Sequence, residues 1–270
     1  MTTTPQRSAG GSGSANRIRF RRDSGLLHLT LCAPERGNTI DRAFTAELAA
    51  ALADLRDVRC ILITADGPNF CLGGDITGFA AAHDPGEYLN VLAGEFHASL
   101  VRLDQAGVPV VVGAQGWAAG AGMSLLLAAD IVVLERTAKL RTAYTAIGFT
   151  PDGGMTWTLP RAVGTARALD LLLTNRPMDA EEALAAGIAS RVVDDGAAAA
   201  TVLEIARGIA DGPFEALSAT RNLVRSGRFT TYAAQLDAER ARISAQAGSP
   251  EGREGVAAFL ARRVARWRDQ

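Results

Sequence analysis

Residues 108–134, VPVVVGAQGWAAGAGMSLLLAADIVVL, contain few polar side chains. This stretch is long enough to cross a bilayer, but four glycines and the polar Gln115, Ser124 and Asp130 interrupt it. A strand, a turn and a helix buried inside a globular protein explain this pattern better than a membrane span. We therefore predict a strand over Val110–Ala114, a helix over Met123–Ala129 and a strand over Ile131–Leu134.

The segments on both sides of this stretch alternate between strand and helix patterns. Short apolar runs bounded by turn residues indicate strands, and apolar residues spaced by three and four indicate helices. Asp41 is suited to cap the first helix, because its side chain can accept hydrogen bonds from free backbone N–H groups. The alternation predicts an α/β fold with parallel strands and right-handed crossovers. The predicted strands are Arg17–Phe20, Leu26–Leu31 and Cys60–Thr64, and the predicted helices follow Asp41 and span Glu87–Gln105.

The last part of the 270-residue chain is almost wholly helical in pattern. From about residue 197 onwards apolar residues recur at helical spacing, which predicts a boundary near Asp195-Gly196. Residues 1–16 are rich in Ser, Thr and Gly and lack periodicity, which predicts a disordered tail. The predicted organisation is a tail over residues 1–16, an α/β core over residues 17–196 and a helical region over residues 197–270.

Composition excludes several classes of function. The net charge of −1 gives no overall field that would attract nucleic acid or an anionic membrane surface. Three cysteines, Cys32, Cys60 and Cys71, are too few and too scattered for a disulfide framework or a metal cluster. The N-terminus has no apolar stretch typical of a signal peptide. These features predict a cytoplasmic protein without a metal site that binds neither nucleic acid nor a membrane.

Two glycine-rich turns are candidates for a reactive site. FCLGGD, residues 70–75, follows a strand and a turn, and GWAAGAG, residues 116–122, lies between a strand and a helix. Small residues let a ligand approach the backbone, and free N–H groups suit an anion that develops during a reaction. Each turn alone is also explained as a tight corner. The second turn lacks the register of a dinucleotide-binding motif, and no P-loop lysine, zinc-ligand spacing or G-x-S-x-G sequence is present.

Five segments taken together indicate a protein family more specifically than either glycine turn alone. PERGN (residues 34–38), the two glycine turns, IGFTPDGG (residues 147–154) and LPRAVG (residues 159–164) resemble the signature blocks of the crotonase superfamily, the enoyl-CoA hydratases and isomerases. The resemblance extends from about Arg17 to Trp267. It implies a crotonase-like spiral of ββα units, a helical C-terminal region that supports a homotrimer or hexamer, and an acyl-CoA thioester substrate. Coenzyme A would enter as part of that substrate, with no separate cofactor.

The resemblance also assigns roles to individual residues. The N–H groups of Gly74 and Ala121 would hold the thioester oxygen. Most family members have glycine at the second position, but alanine keeps the N–H and serves where its φ is negative. Arg36, or Arg262 or Arg263 near the C-terminus, would bind the phosphates of coenzyme A, although a solvated surface charge explains each of them equally well. The path of the coenzyme A moiety would be lined by Leu72, Asp75 and Ile76.

The chain departs from the family at two positions that matter for chemistry. Family hydratases use two glutamates to hold and activate a water, and the matching residues here are Ser124 and Tyr144, which would line the substrate site. Neither is a general base at neutral pH, because serine needs a partner base and tyrosine titrates near about 10. Asp152 matches the position where some isomerases and a dehalogenase branch have their only functional carboxylate. Taken alone, Asp152 in PDGG would be a turn residue that bonds its own backbone.

His97 is the second titratable candidate. It matches the position of the catalytic base in the dehalogenase branch of the superfamily. It also lies next to Phe96 on the predicted helix, one residue from the apolar stripe. A partly buried structural histidine is therefore the alternative interpretation.

The sequence thus predicts an acyl-CoA enzyme that shifts a double bond, with Asp152 as its acid and base. The N–H groups of Gly74 and Ala121 would stabilise the dienolate oxygen. One carboxyl group that removes and returns a proton suffices for such a shift. Hydration stays open as an alternative, and so does aryl-CoA dehalogenation with Asp152 as nucleophile and His97 as base. An acyl-CoA-binding subunit without catalysis is the alternative from a different class.

Overall fold

The computed structural model describes residues 16–268, in which helices pack on a central sheet. The strands are β1 (Ile18–Asp23), β2 (Leu26–Leu31), β3 (Cys60–Ala65), β4 (Val110–Ala114), β5 (Trp117–Ala119), β6 (Ile131–Glu135), β7 (Lys139–Arg141), β8 (Met178–Asp179) and β9 (Arg191–Val193). The helices are α1 (Arg42–Ala51), α2 (Ile76–Ala81), α3 (Pro85–Gln105), α4 (Ala121–Leu127), α5 (Met155–Val163), α6 (Thr165–Thr174), α7 (Ala180–Ala185), α8 (Ala198–Ala210), α9 (Phe214–Gly227), α10 (Tyr232–Gly248) and α11 (Pro250–Leu260). The tail predicted over residues 1–16 lies, apart from Asn16, outside the described residues.

The central sheet has the strand order β1-β2-β3-β4-β6-β9. β1 and β2 pair antiparallel, and the other neighbours pair in parallel. Ser24 and Gly25 form the hairpin turn with φ of 50° and 78°, the backbone that suits a two-residue hairpin loop. The predicted α/β fold is confirmed. The first strand extends to Asp23 rather than ending at Phe20, because every residue of β1 pairs with a residue of β2.

A second sheet, in the order β5-β7-β8, begins directly after β4 and holds the second glycine turn. Isolated bridges join Ile40 to Gly74 and Cys71 to Ala118. The first glycine turn is therefore hydrogen-bonded on one side to the chain before α1 and on the other side to β5. These pairings hold the two glycine turns next to each other.

Helices cover both faces of the central sheet. On one face β2, β3 and β4 share a core with α1, α3 and α4. On the other face, α8 packs so closely on β4 that a Cβ at Gly113 would lie 2.7 Å from Val202 Cγ2. Helix α8 follows the predicted boundary near residue 196, yet it forms part of the core of the sheet. This second core contains Leu26, Cys60, Leu62, Val111, Val133, Val202, Ala206 and Ala210.

The last two helices bury little of their own surface. α10 buries no residue, and α11 buries only Glu251 and Ala258. Several of their large apolar side chains are exposed, among them Ile243, Val256, Phe259 and Leu260. Within residues 16–268, none of the helices combines the length and the apolar character that crossing a membrane requires.

Helix α4 begins at Ala121, two residues before the start predicted at Met123. Gly120 precedes it with φ 52° and ψ −128°, a conformation that favours glycine. The helix therefore starts inside the glycine turn rather than after it. Because the first N–H groups of a helix have no partner within the helix, this start leaves the N–H of Ala121 available.

Candidate active site

A cavity of about 680 Å³ opens where the two glycine turns meet α3 and the loop that precedes α5. Gly74, Ala121, Tyr144 and Asp152 all line it, so the structure brings most of the predicted site residues together. Asp152 is the only carboxylate among the described residues that line this cavity. The apolar part of the wall includes Ile40, Leu72, Ile76, Phe79, Leu89, Leu92, Ala93, Phe96, Ile147 and Phe149.

The backbone N–H groups of Gly74 and Ala121, both at this cavity, have no acceptor within the described part of the chain. Ile40 N donates to Gly73 O at 2.8 Å, and Asp75 N donates to Ile40 O at 3.0 Å. The intervening N–H of Gly74 takes no part in this ladder. The N–H of Ala121 is also unpaired, and Ala121 is not among the residues with positive φ. Alanine at this position therefore keeps its N–H in an ordinary helical conformation.

The two turns that carry these N–H groups are in contact. A Cβ built on Gly73 would lie 3.6 Å from Ala121 N, and one built on Gly122 would lie 2.4 Å from Cys71 O. Helix α4 can approach the first turn this closely only because residue 122 is glycine. Two N–H donors that reach one cavity from adjacent turns can stabilise an oxygen on which negative charge develops.

The side chains of Tyr144 and Ser124 hold Asp152 in place. Tyr144 Oη donates a hydrogen bond of 2.5 Å to Asp152 Oδ1. Ser124 Oγ donates to the backbone O of Asp152 at 3.0 Å. Burial raises the pKa of Tyr144, and the negative charge of Asp152 raises it further, so the tyrosine keeps its proton at neutral pH. Neither side chain is free to act as a base toward a water.

The loop that carries Asp152 depends on glycine. Gly153 and Gly154 have φ of 61° and 78°, and a Cβ on Gly153 would lie 2.6 Å from Ser124 Cβ. Met155 N donates to the backbone O of Asp152 at 3.2 Å. No backbone N–H in residues 16–268 donates to the carboxylate of Asp152. The carboxylate therefore does not bond its own turn, as the alternative interpretation of PDGG would require.

His97, on α3, approaches the same carboxylate. Its Nε2 accepts a hydrogen bond of 3.0 Å from Gly153 N and lies 3.4 Å from Asp152 Oδ2. A ring nitrogen that accepts from an N–H carries no proton, so this hydrogen bond assigns the ring proton to Nδ1. The imidazole side chain is 45% exposed and lines a second cavity of about 670 Å³ instead of the first. His97 thus contacts Asp152 without lining the cavity that holds the two N–H groups.

Asp75 caps a helix and does not line the cavity. Its Oδ1 accepts hydrogen bonds from Thr77 N at 3.2 Å and Thr77 Oγ1 at 2.6 Å at the start of α2. Arg36 Nη2 lies 2.8 Å from its Oδ2. Partial burial acts to raise the pKa of Asp75, but the Thr77 hydrogen bonds and the Arg36 charge outweigh it and lower the pKa. Leu72, within the first glycine turn, and Ile76, directly after it, do line the cavity and are also exposed.

The predicted phosphate-binding arginines differ in their surroundings. Arg36 lies near two carboxylates, at 2.8 Å from Asp75 and 3.7 Å from Asp41, which offset part of its charge. Arg263 forms an ion pair of 2.6 Å with Glu254. Neither arginine is among the residues that line the cavity. No group of His, Cys, Asp and Glu side chains in residues 16–268 is arranged to hold a metal ion.

The sequence did not identify the aromatic part of the wall. The rings of Phe79 and Phe149 have centroids 6.4 Å apart, and Tyr88 contacts Phe79 edge to face at 5.8 Å. Phe96 belongs to the apolar stripe of α3 and Phe149 to the IGFTPDGG block, so both lie in segments that the sequence marked. Periodicity shows that such residues are apolar, but it does not show which of them border a cavity.

Comparisons with known proteins agree with this architecture. A family model described as enoyl-CoA hydratase/isomerase matches residues 21–270. The chain is 38% identical over 246 residues to the 1,2-epoxyphenylacetyl-CoA isomerase of Escherichia coli, covering 89% of this chain and 94% of that protein. It is 38% identical over 255 residues to a probable enoyl-CoA hydratase of Rhodobacter capsulatus, covering 93% and 97%.

A solved structure is similar over the same range. The crystal structure of a putative enoyl-CoA hydratase/isomerase from Mycobacterium abscessus superposes with a TM-score of 0.89 at 32% identity. The match covers 93% of this chain and 98% of that one. Together with the glycine turns and the cavity between them, these matches establish that the chain belongs to the enoyl-CoA hydratase/isomerase family of acyl-CoA enzymes, within the crotonase superfamily.

Proposed function

We propose that this enzyme moves a double bond in an unsaturated acyl-CoA thioester, with Asp152 as its only acid and base. The proposal rests on the set of residues that line the 680 Å³ cavity. One carboxylate, that of Asp152, lines the cavity together with the unpaired N–H groups of Gly74 and Ala121. A carboxylate and two N–H donors are what a proton shift through an enolate requires.

Isomerisation fits this set of groups better than hydration. Hydration in the family needs two carboxylates that hold a water, and Ser124 and Tyr144 occupy those two positions. The hydroxyl of Ser124 donates to the Asp152 backbone, and that of Tyr144 donates to the Asp152 carboxylate. A 1,3-proton shift needs only one group that accepts a proton at one carbon and returns it at another.

The proposed reaction proceeds in two proton transfers. Asp152 removes a proton from the carbon α to the thioester carbonyl, and the negative charge spreads onto the thioester oxygen. That oxygen accepts hydrogen bonds from Gly74 N and Ala121 N, each worth about 3 kcal/mol in comparable oxyanion holes. The protonated carboxyl then delivers the proton to the γ carbon, and the double bond becomes conjugated with the carbonyl. Tyr144 keeps the carboxylate directed at both carbons through the hydrogen bond to Oδ1.

The substrate would be a coenzyme A thioester with an apolar or aromatic acyl group. The aromatic side chains of Phe79, Phe96 and Phe149 line the cavity, and coenzyme A would enter past the exposed Leu72 and Ile76. The Escherichia coli relative is named for a 1,2-epoxyphenylacetyl thioester, which supports testing cyclic as well as straight-chain acyl groups. Coenzyme A enters as part of the substrate, and the proposed steps use no other cofactor.

Aryl-CoA dehalogenation is the second candidate. The 3.4 Å contact between His97 Nε2 and Asp152 Oδ2 favours it, because that reaction pairs an aspartate nucleophile with a histidine base. The hydrogen bond from Gly153 N counts against it, because this bond occupies the lone pair that would activate the water. His97 also lines the second cavity rather than the first.

A panel of thioesters separates the candidates. β,γ-Enoyl, α,β-enoyl and halogenated aryl-CoA thioesters are incubated with the enzyme, and the products are identified by absorbance and mass spectrometry. The proposal expects conversion of β,γ-enoyl to α,β-enoyl thioester as the fastest reaction. Faster hydration of the α,β-enoyl thioester, or faster release of halide, would overturn it.

We also propose a homotrimer, or a pair of trimers, that assembles through the helical C-terminal region. The exposed apolar side chains of α10 and α11 support this assembly, because a monomer would leave them in water. Ile243, Phe259 and Leu260 are each more than two-thirds exposed in the single chain. We further propose a cytoplasmic location, where the free Cys32, Cys60 and Cys71 stay reduced.

A further inference from the structure

The backbone directly before Tyr144 has a strained conformation. Ala143 has a φ of 67°, in the left-handed region. Asparagine and aspartate tolerate this region because their short polar side chains can bond nearby backbone groups, but alanine has no such group. Tyr144 N donates to Thr142 O at 2.9 Å, so residues 142–144 form a γ-turn of the rare type with a positive φ at its centre. A turn of this kind persists only where the surrounding structure holds it.

The side chain of Asn175, at the end of α6, holds this 142–144 turn. Its Oδ1 accepts a hydrogen bond of 2.8 Å from Ala143 N. Thr142 Oγ1 donates to Leu171 O of α6 at 3.1 Å and lies 3.4 Å from the same Oδ1. On the strand before the turn, Arg141 Nε donates to the backbone O of Asn175 at 2.9 Å. Both the turn and the strand that leads into it are therefore bonded to the end of α6.

Asn175 is itself fixed in place. It ends α6 with a left-handed φ of 54°, which asparagine adopts more readily than most residues, and its N–H donates to Leu171 O at 3.1 Å. Only 7% of Asn175 is exposed, and the residue lines neither of the two large cavities. Its amide oxygen therefore contacts the 142–144 turn and is not available to a substrate.

The 142–144 turn determines where the hydroxyl of Tyr144 lies. Tyr144 follows Ala143 directly, so a change in the φ of Ala143 would move the Tyr144 ring. That ring ends in the hydroxyl that donates to Asp152 Oδ1 at 2.5 Å. Ala143, Tyr144 and Asp152 all line the 680 Å³ cavity. A chain of direct contacts thus leads from the buried Asn175 to the carboxylate in the cavity.

We propose that Asn175 is a positioning residue for the isomerisation. Its amide oxygen holds the left-handed backbone of Ala143, and this backbone directs the Tyr144 hydroxyl at Asp152. The inference rests on the proposed function, because the position of the Asp152 carboxylate affects turnover only if Asp152 is the acid and base. Asn175 contacts neither the cavity nor Asp152, so its effect on the rate passes through Tyr144. Once the Tyr144 hydroxyl is removed, loss of the Asn175 amide should have no further effect on kcat.

The experiment measures kcat, KM and the melting temperature with a 3-enoyl-CoA thioester for Asn175→Gly, Tyr144→Phe and the double variant. Asn175→Gly removes the amide but keeps the left-handed end of α6, because glycine adopts that backbone without strain. Asn175→Asp is the conservative variant, since it keeps an oxygen that can accept from Ala143 N. Asp57→Gly is the matched control, because Asp57 also has a left-handed φ, of 61°, but is exposed and lines neither cavity.

Asn175→Gly should lower kcat about 3- to 10-fold, as expected for the loss of one buried hydrogen bond, and leave KM close to that of wild type. Asn175→Asp and Asp57→Gly should keep nearly the kcat of wild type. The double variant should have the kcat of Tyr144→Phe to within about twofold, because two residues that act through one contact do not have additive effects.

Three results would overturn the role of Asn175 while leaving the proposed function intact. One is a folded Asn175→Gly enzyme with the kcat of wild type. Another is an equal fold-loss from Asn175→Gly with and without the Tyr144 hydroxyl, which a merely structural role would give. The third is a folded Asn175→Asp enzyme with kcat lowered about tenfold or more, and this result does not depend on whether Asn175→Gly folds. If wild type does not isomerise the thioester, both the proposed function and the role of Asn175 are rejected.

Discussion

The hydroxyl of Tyr144 and the Oδ1 atom of Asp152 are joined by a hydrogen bond of 2.5 Å, eight residues apart in one loop. By its resemblance to the family, the chain has Ser124 and Tyr144 at the positions of the two hydratase glutamates, so neither position supplies a carboxylate. Tyr144 instead donates a hydrogen bond to the carboxylate of Asp152. This arrangement underlies the proposed preference for isomerisation.

Tyr144→Phe should lower turnover while the fold persists. The variant keeps the aromatic ring but loses the hydroxyl that donates to Asp152 Oδ1, so the carboxylate is no longer held in its position at the cavity. A hydrogen bond to a charged group is worth about 1.5–3 kcal/mol, so we expect kcat to fall by about 10- to 100-fold. Tyr232→Phe, at a side chain that is 80% exposed, should leave kcat unchanged. A well-folded Tyr144→Phe enzyme with the kcat of wild type would contradict this role.

Ala121→Pro should remove one N–H of the proposed oxyanion hole without breaking helix α4. Ala121 is the first residue of that helix, where proline is tolerated because the N–H has no partner within the helix. Loss of one such donor should lower kcat about 10²–10³-fold. Ala121→Gly keeps the N–H and should retain most of kcat. A proline variant with a higher KM and a normal kcat would contradict the assignment.

The C-terminal region should hold the assembly together. Phe259 and Leu260 of α11 are 83% and 76% exposed in the single chain, and a charge at either position would oppose their burial between subunits. Light scattering should give a mass of three or six protomers for the wild type and a smaller mass for Phe259→Glu. A wild-type mass near 28.2 kDa at micromolar concentration would rule out the proposed assembly.

Protonation of His28 should destabilise the fold in mild acid. Burial lowers the pKa of His28 to about 4, and the charges of Arg21 and Arg19 add to the effect. The unfolded chain, in which the pKa is near 6.5, therefore binds more protons between these values, so stability falls as the pH falls from 6.5 to 4. We expect a loss of about 2 kcal/mol, after allowance for solvent screening of the half-buried ring.

Denaturant unfolding at several pH values measures this effect. His28→Gln cannot take up a proton, and its amide can still bond Thr64 Oγ1, which lies 2.8 Å from Nε2 in the wild type. The variant should therefore lose less stability than wild type between pH 6.5 and 4. Equal losses in the two proteins would show that His28 is already accessible to protons in the folded state.

Much of the fold could be predicted because short-range signals determine it. Asp41 was expected to cap α1, and its side chain accepts a hydrogen bond from Phe44 N at 2.9 Å. The strand Val110–Ala114 was predicted to the residue, because apolar β-branched residues end there at a glycine turn. The start of α4 was predicted two residues too late. The prediction used the spacing of large apolar residues, and the small residues Ala121 and Gly122 do not add to that pattern. The position of α8 on the sheet depends on long-range packing and was not predicted.

The sequence could name the candidate site residues, but it could not predict the hydrogen bonds between them. The glycine turns and Asp152 lie in segments that resemble the family, so they could be named from the sequence. The Tyr144–Asp152 hydrogen bond depends on the path of one loop, which no sequence pattern describes. The same holds for the His97 contact, which depends on Gly153 and on the packing of α3 against that loop. Asp75 was named for the substrate path, but hydrogen bonds with Thr77 and Arg36 engage its carboxylate.

In the proposed reaction, Asp152 is both the acid and the base. Asp152→Asn keeps the size of the side chain and an oxygen that can accept from Tyr144 Oη, while it removes the base. A matched control is Asp179→Asn, because Asp179 caps α7 through Glu182 N and lines neither cavity. Loss of a cap costs about 1 kcal/mol of stability and little turnover.

The direct test measures turnover of a 3-enoyl-CoA thioester together with the melting temperature of each variant. Asp152→Asn should lose about 10²–10⁴-fold in kcat with a melting temperature close to wild type. Asp179→Asn should show the opposite pattern, with a lower melting temperature and nearly normal kcat. An Asp152→Asn enzyme that loses stability but keeps kcat within a few-fold of wild type would show that Asp152 is not the acid and base.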